Sequence, residues 1–143
     1  MVQQLSRSPL IDRESLAGLA DLRMREARAL HAAGFGVGAT YLAGYAVECL
    51  LKAAICKTLD WDHLLGTFQT HDLEGLLLYS GLDRRLRENP NVLESFTRLK
   101  RHWSPELRYK SATTEDGLTA DQFLQWVEDP RAGVATWLRN NIH

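Results

Sequence analysis

Apolar residues recur at helical spacing along most of this chain, whereas the two-residue alternation of apolar and polar side chains that marks a strand is not sustained anywhere. The first predicted helix covers residues 12 to about 33. Apolar residues recur along it at spacings of three (16/19 and 27/30), four (16/20) and seven (20/27), at Leu16, Leu19, Ala20, Ala27 and Leu30. The pattern therefore predicts an all-α protein, a compact up-and-down bundle of about five helices in a single domain spanning 1–143.

Residues that favour helix ends divide the rest of the chain. Gly34 follows the first helix as a C-cap, and a second helix covers about 39–58. The segment HDLEGLLLYSG predicts a third helix that stops at Gly81. The boundary residues of the later helices are Asn91 with Glu94 (a capping pair opening the fourth helix), Pro105 (its end), Thr119 with Gln122 (a capping box opening the last helix) and Pro130 (a kink or split in it).

The second helix contains YLAGYAVECLLKAAIC, which is apolar almost all round. Such a helix is typical of the centre of a bundle, packed on several sides. At 100° per residue, Tyr41, Tyr45, Glu48 and Lys52 lie within about 60° of one another and form one polar stripe. Glu48 and Lys52 have the favourable acid-first spacing of four, and an unpaired charge there would be costly, so we expect an ion pair.

Two interpretations of this polar stripe are open. In the first, the ion pair and the two tyrosines simply lie at the rim of the helix. In the second, the stripe is a polar seam that lines a pocket or specifies a homodimer contact. For either one, we expect Glu48→Ala to impair folding or dimerisation before it impairs binding.

Charge is unevenly distributed, although the formal net charge is only −1. Residues 84–110 hold eight Lys or Arg against three Glu, a local net charge of +5, and both flanks are acidic. Such a segment can meet a polyanion, and it can equally be a solvated helix face. A net charge of −1 over the whole chain gives no argument for nucleic acid or anionic lipid as a partner.

Neither a cofactor nor a metal site is predicted. The run GFGVG at 34–38 lacks the spacing of a dinucleotide-binding loop and follows a helix instead of a strand. His63 and His71 lack metal-ligand spacing, as do Cys49 and Cys56. The two cysteines, seven residues apart on one helix, are too distant for a disulfide bond and are expected to be buried thiols.

The chain is expected to be cytoplasmic. The N-terminal residues MVQQLSRSPLIDRES contain no apolar stretch of a signal peptide. No uninterrupted apolar run reaches the roughly 18 residues of a membrane span. We therefore expect no membrane partner.

Three motifs, in order, resemble the HEPN domain (higher eukaryotes and prokaryotes nucleotide-binding). They are YLAGYAVECLLKA in the second helix, HDLEGLL at 71–77, and WSPELRY at 103–109. The resemblance extends from the first helix to Tyr109 and implies an all-α bundle that works as a homodimer. It also implies a toxin–antitoxin, defence or RNA-processing context, often with a partner nucleotidyltransferase, and a helix-capping or packing role for His71.

Many members of that family are metal-independent ribonucleases with an Arg, four to six residues, then a His, late in the bundle. Here Arg98 and His102 have only three residues between them, and the formal match, Arg25 to His31, lies in the first helix. Arg98 and His102 nevertheless share one helix face, with His102 as general acid or base and Arg98 holding phosphate. The alternative is a solvated helix end anchored by Trp103.

Two functions follow as alternatives. The first is a HEPN-like homodimer without efficient catalysis that binds RNA, a nucleotide or a nucleotidyltransferase. Its binding residues would be Arg101, Arg108, Tyr109 and Lys110, which offer positive charge and a stacking surface. The second is a metal-independent endoribonuclease toxin that uses Arg98 and His102 as its catalytic pair.

Overall fold

A computed structural model of the chain describes residues 11–110 and 119–142 and confirms the all-α prediction. Within these ranges it contains seven α-helices. They are α1 (Arg13–Ala32), α2 (Gly36–Leu59), α3 (Leu73–Ser80), α4 (Asp83–Arg87), α5 (Pro90–His102), α6 (Ala120–Glu128) and α7 (Val134–Asn141). The start of the N-terminal segment and the polar loop at 111–117 lie outside the described residues.

Most predicted helix ends are confirmed. Gly34 and Gly81 follow α1 and α3 with φ of +89° and +79°, the left-handed region that glycine enters without strain. Thr119 and Gln122 form the predicted capping box of α6. The last predicted helix is indeed split around Pro130, into α6 and α7.

One prediction about the fourth helix region is wrong, and one helix there was not predicted. Helix α5 begins two residues earlier than predicted, because Asn89 is its N-cap and accepts a hydrogen bond from the Val92 amide, while Pro90 occupies the first turn. The five-residue helix α4 was not predicted at all. It is too short to show an apolar period, and Leu86 is its one buried residue.

A small antiparallel pair also escaped the sequence pattern. Ile11–Asp12 (β1) pairs with His63–Leu64 (β2), and two residues are too few to display alternation. Two short 3₁₀-helices complete the described secondary structure, at Gly66–Phe68 and Pro105–Tyr109.

Helix α2 lies at the centre of the molecule, as its sequence predicts. It contacts α1, α3, α6, α7 and the 3₁₀-helix Pro105–Tyr109. Among the described residues it is the one helix long and apolar enough to cross a membrane, but 83% of that apolar window is buried inside the protein. That burial is typical of the core helix of a soluble protein.

The 3₁₀-helix Pro105–Tyr109 is held against α2 by Trp103. The indole Nε1 donates a hydrogen bond to the Tyr41 carbonyl oxygen at 3.0 Å. The ring packs so closely on Gly44 that a Cβ there would lie 2.1 Å from Nε1. Gly44 therefore leaves room for the indole, and the indole holds the end of α5 and the chain after it against α2.

Candidate functional site

The predicted binding residues at the end of α5 and after it are all exposed, three of them basic and one aromatic. The Arg108 guanidinium lies 5.0 Å from the centre of the Tyr109 ring, and Tyr109 is 78% exposed. Arg101 and Lys110 are exposed as well. We call Arg101, Arg108, Tyr109 and Lys110 the basic surface.

A cavity of about 700 Å³ adjoins the basic surface. The turn between α1 and α2 forms one wall and includes Phe35, which is 63% exposed. Tyr41 of α2 and Leu107, Arg108 and Lys110 of the chain after α5 line it as well. Side-chain hydrogen bonds with Tyr109 and Tyr41 raise the pKa of Arg108 above its usual value.

Part of the positive charge of residues 84–110 is neutralised by ion pairs with Glu74 and Glu94. Glu74 of α3 accepts hydrogen bonds from Arg87 and Lys100, each at 2.5 Å, and the bond from Lys100 is the main cause that lowers the pKa of Glu74. Arg98 is paired with Glu94 at 3.1 Å. The charge count over residues 84–110 could not show the contribution of Glu74, because Glu74 lies outside that segment.

The predicted catalytic residues Arg98 and His102 both approach Trp126 of α6. The His102 ring stacks on the Trp126 ring with 5.6 Å between centres and 26° between planes. Arg98 and Trp126 line one cavity of about 310 Å³, together with Glu94. The formal motif residue His31 instead lies 3.5 Å from Asp121. Catalysis by Arg98 and His102 stays a prediction.

The polar stripe of α2 contains the expected ion pair. Lys52 Nζ lies 2.8 Å from Glu48 Oε2, and the two side chains are only 7% and 2% exposed. The other oxygen, Oε1, is 2.7 Å from Nδ1 of His71, whose side chain is 43% exposed. The capping interpretation of His71 is therefore wrong: the N-cap of α3 is Asp72, and the His71 ring faces Glu48.

The two tyrosines of the stripe are packed among rings. Tyr45 makes edge contacts with Tyr41 at 5.1 Å, with His71 at 5.7 Å and with Trp103 at 5.7 Å. Burial, then a side-chain hydrogen bond with Tyr41, raises the pKa of Tyr45, which is therefore a neutral phenol. The tyrosines of the stripe thus lie between the buried charges and the buried indole of Trp103.

Both cysteines are free and buried, as predicted. Burial raises the pKa of the Cys49 thiol to about 11, with the nearby Glu48 carboxylate as the second cause. Burial also raises the pKa of Cys56. Both groups are protonated near neutral pH, so neither is an activated nucleophile.

The sequence did not predict the part that two residues play in these sites. His71 was noticed, but its contact with Glu48 crosses 23 residues and has no local signal. Phe35 stood in a glycine run that offered no pattern at all. Within 11–110 and 119–142, no cluster of three or more His, Cys, Asp or Glu residues could hold a metal ion.

Comparisons with protein-family models, with curated proteins and with solved structures found no match to this chain. Function must accordingly be argued from the residues and their geometry.

Proposed function

We propose that this chain is a HEPN-like domain that binds RNA or a nucleotide at the basic surface. The observation that carries the proposal is the Arg108–Tyr109 pair: a charged guanidinium against a ring that is 78% exposed, beside a cavity of about 700 Å³. The HEPN assignment itself rests on the three sequence motifs. Its other implications, a homodimer, a partner nucleotidyltransferase and a cytoplasmic toxin–antitoxin or defence role, belong to the same proposal.

The chemistry of the basic surface suits single-stranded nucleic acid. Arg101, Arg108 and Lys110 supply positive charge for phosphate groups. Exposed aromatic rings stack on bases and contribute about 1–3 kcal/mol per base, whichever base it is. Tyr109 and Phe35 are both exposed in this region, so the surface combines the two kinds of contact that such ligands need.

The test is binding of a fluorescent single-stranded RNA oligonucleotide, followed by anisotropy across a salt series. We expect Tyr109→Ala to weaken binding about tenfold and Tyr109→Phe to retain it, because the ring does the stacking. Arg108→Ala should weaken binding and also reduce the slope of log K against log salt by about one.

The matched control is Lys57→Ala. Lys57 is an exposed cation of α2, about 24 Å along the helix axis from Tyr41, at the far end from the basic surface. Its replacement should leave RNA binding unchanged. Equal losses in Lys57→Ala and Arg108→Ala would mean that only general charge matters, and the proposed site would be wrong.

Catalysis is the second candidate, and the position of both side chains near Trp126 favours it. Arg98 lines a cavity with this indole, and His102 stacks on it, so one ring brings both side chains to the same region. A ribonuclease mechanism would use the imidazole as general acid or base at a 2′-hydroxyl and the guanidinium at the phosphate.

RNA cleavage in EDTA by the purified protein and by Arg98→Ala/His102→Ala decides between the two candidates. Cleavage by the parent and not by the variant would make the chain a metal-independent ribonuclease. If neither cleaves while the parent still binds RNA, the chain is a binding domain.

A further inference from the structure

A second cavity, of about 390 Å³, opens between α1, α2 and the chain before α3, with a wall that the proposed RNA-binding function does not use. Its volume lies at the small end of the range of ligand sites, about 300–1,000 Å³. We call it the inner cavity. Its charged or titratable lining residues are Arg23, Tyr45, Glu48, Cys49, Lys52 and His71.

Lys52 is the most unusual member of this lining. Its side chain is only 7% exposed, and an ammonium group in such a setting is costly unless its donors are satisfied. The group has three N–H donors. Among the described residues it donates one hydrogen bond, to Glu48 Oε2. Two donors are thus left for acceptors other than the described protein atoms.

Each oxygen of the Glu48 carboxylate already has one partner. Oε2 accepts from Lys52, and Oε1 lies 2.7 Å from His71 Nδ1. The carboxylate holds Nδ1 of the ring, so Nε2 is on the side turned away from Glu48. With 43% of its side chain exposed, His71 lies where the inner cavity meets solvent.

The unused N–H donors of the inner cavity favour an anion. Arg23 is the second cation of the lining; its Nη1 is paired with Glu26 at 2.6 Å, which leaves the other nitrogen donors of the fork. Glu48 is the one carboxylate that lines the cavity within the described residues. Each cation therefore has one carboxylate partner, Glu48 for Lys52 and Glu26 for Arg23, and each keeps N–H donors that this partner does not use.

The rest of the wall is apolar. Ile11, Leu16 and Leu19 line the inner cavity from β1 and α1, and the Tyr45 ring lines it from α2. A cavity with an apolar body and a few convergent polar groups is the usual form of a small-molecule site. The apolar part of a ligand would lie against these side chains while its charged end meets the two cations.

We propose that the inner cavity binds a small organic oxyanion, a carboxylate or a phosphate ester with an aromatic or aliphatic body. Lys52 and Arg23 donate to the anionic oxygens, Glu48 holds Lys52 and His71 in place, and the apolar wall receives the body. Arg23 and Lys52 are ligand-binding residues in this proposal. Glu48 is a positioning residue.

The experiment is isothermal titration of the full chain with three probes: phenyl phosphate, benzoate and inorganic phosphate. Phenyl phosphate or benzoate should bind with a submillimolar Kd and more tightly than inorganic phosphate, because only they fill the apolar wall. Which of the two binds more tightly distinguishes a phosphate ester from a carboxylate as the natural ligand class.

Arg23→Gln is the decisive variant, because Arg23 is partly exposed and its loss should leave the fold intact. We expect affinity for the organic probe to fall about tenfold or more, the usual effect of losing a charge-assisted hydrogen bond. Arg25→Gln is the matched control, since Arg25 is an exposed cation of the same helix and does not line the inner cavity. It should bind like the parent.

Lys52→Met supports the test if circular dichroism shows that it folds, and it should then also lose the probe. No binding of any probe by the parent at millimolar concentration would overturn the proposal. Parent-like affinity in Arg23→Gln would overturn it as well. Loss of the probe in Arg108→Ala but not in Arg23→Gln would place the anion at the basic surface, again overturning it while leaving the RNA proposal intact.

Discussion

At the residue scale, the packing of Trp103 requires a glycine at position 44. The Trp103 indole occupies the space where a Cβ would lie, with its Nε1, Cδ1 and Cε2 atoms between 2.1 and 2.4 Å from that position. The ring is rigid and its Nε1 donates a hydrogen bond to the Tyr41 carbonyl oxygen, so the ring cannot move aside without losing that bond.

Gly44→Ala should therefore lower the free energy of unfolding by about 1–3 kcal/mol or more, the usual cost of overpacking. Helix propensity alone would predict the opposite sign, a gain of about 1 kcal/mol. Urea denaturation measures the change. The control is Gly18→Ala, at an exposed position of α1 with nothing within 4 Å of the new Cβ, which should stabilise the protein. Equal effects of the two substitutions would contradict the packing argument.

The Glu48–Lys52 pair gives a second residue-scale prediction. Glu48→Ala removes the partner of a buried ammonium and leaves His71 without its carboxylate, so it should cost about 3–5 kcal/mol of stability. The double replacement Glu48→Leu/Lys52→Met removes both charges and should recover much of that loss. Thermal unfolding and sedimentation equilibrium of each variant are the measurements.

An unchanged melting temperature and unchanged oligomer size in Glu48→Ala would contradict this account. A changed oligomer size at an unchanged melting temperature would instead assign the polar stripe to a homodimer contact. The two interpretations of the polar stripe are separated in this way.

At the scale of elements, α5 shows that a cap is defined by backbone geometry as well as by residue type. Asn89 and Asn91 are both good candidates by composition, but Asn89 has extended backbone angles (φ −112°, ψ 96°) and Pro90 follows it at the first helical position. The cap is therefore Asn89.

Asn89→Ala should destabilise the protein by about 1 kcal/mol, because the Val92 amide loses its acceptor. Asn91→Ala, inside the first turn of the same helix, should change stability by only a few tenths of a kcal/mol and is the control. Urea denaturation of the two variants under one set of conditions tests this. A larger loss at Asn91 would contradict the assignment.

At the scale of the whole molecule, local patterns predict the helices and long-range contacts decide the sites. The apolar circumference of α2 was sufficient to place it at the centre, and the spacing of Glu48 and Lys52 was sufficient to predict their pairing. The contact of His71 with Glu48 depends on how α3 packs, which no local spacing encodes. The same holds for the pairing of Glu74 with Arg87 and Lys100. One alternative for the polar stripe was that it lines a pocket, and Tyr45, Glu48 and Lys52 do line the inner cavity. The rest of the lining was not predicted, since Arg23 belongs to α1 and His71 to the chain before α3.

The central position of α2 also has a consequence for biosynthesis. The ribosome completes residues 36–59 long before it makes residues 120–141, yet α6 and α7 provide part of the packing around α2. During that interval the nascent chain exposes a 24-residue helix-forming segment apolar enough to resemble a membrane anchor. Apolar surface that is exposed for a time during folding is prone to aggregation, so the risk to a new chain grows with the delay before α6 and α7 cover α2.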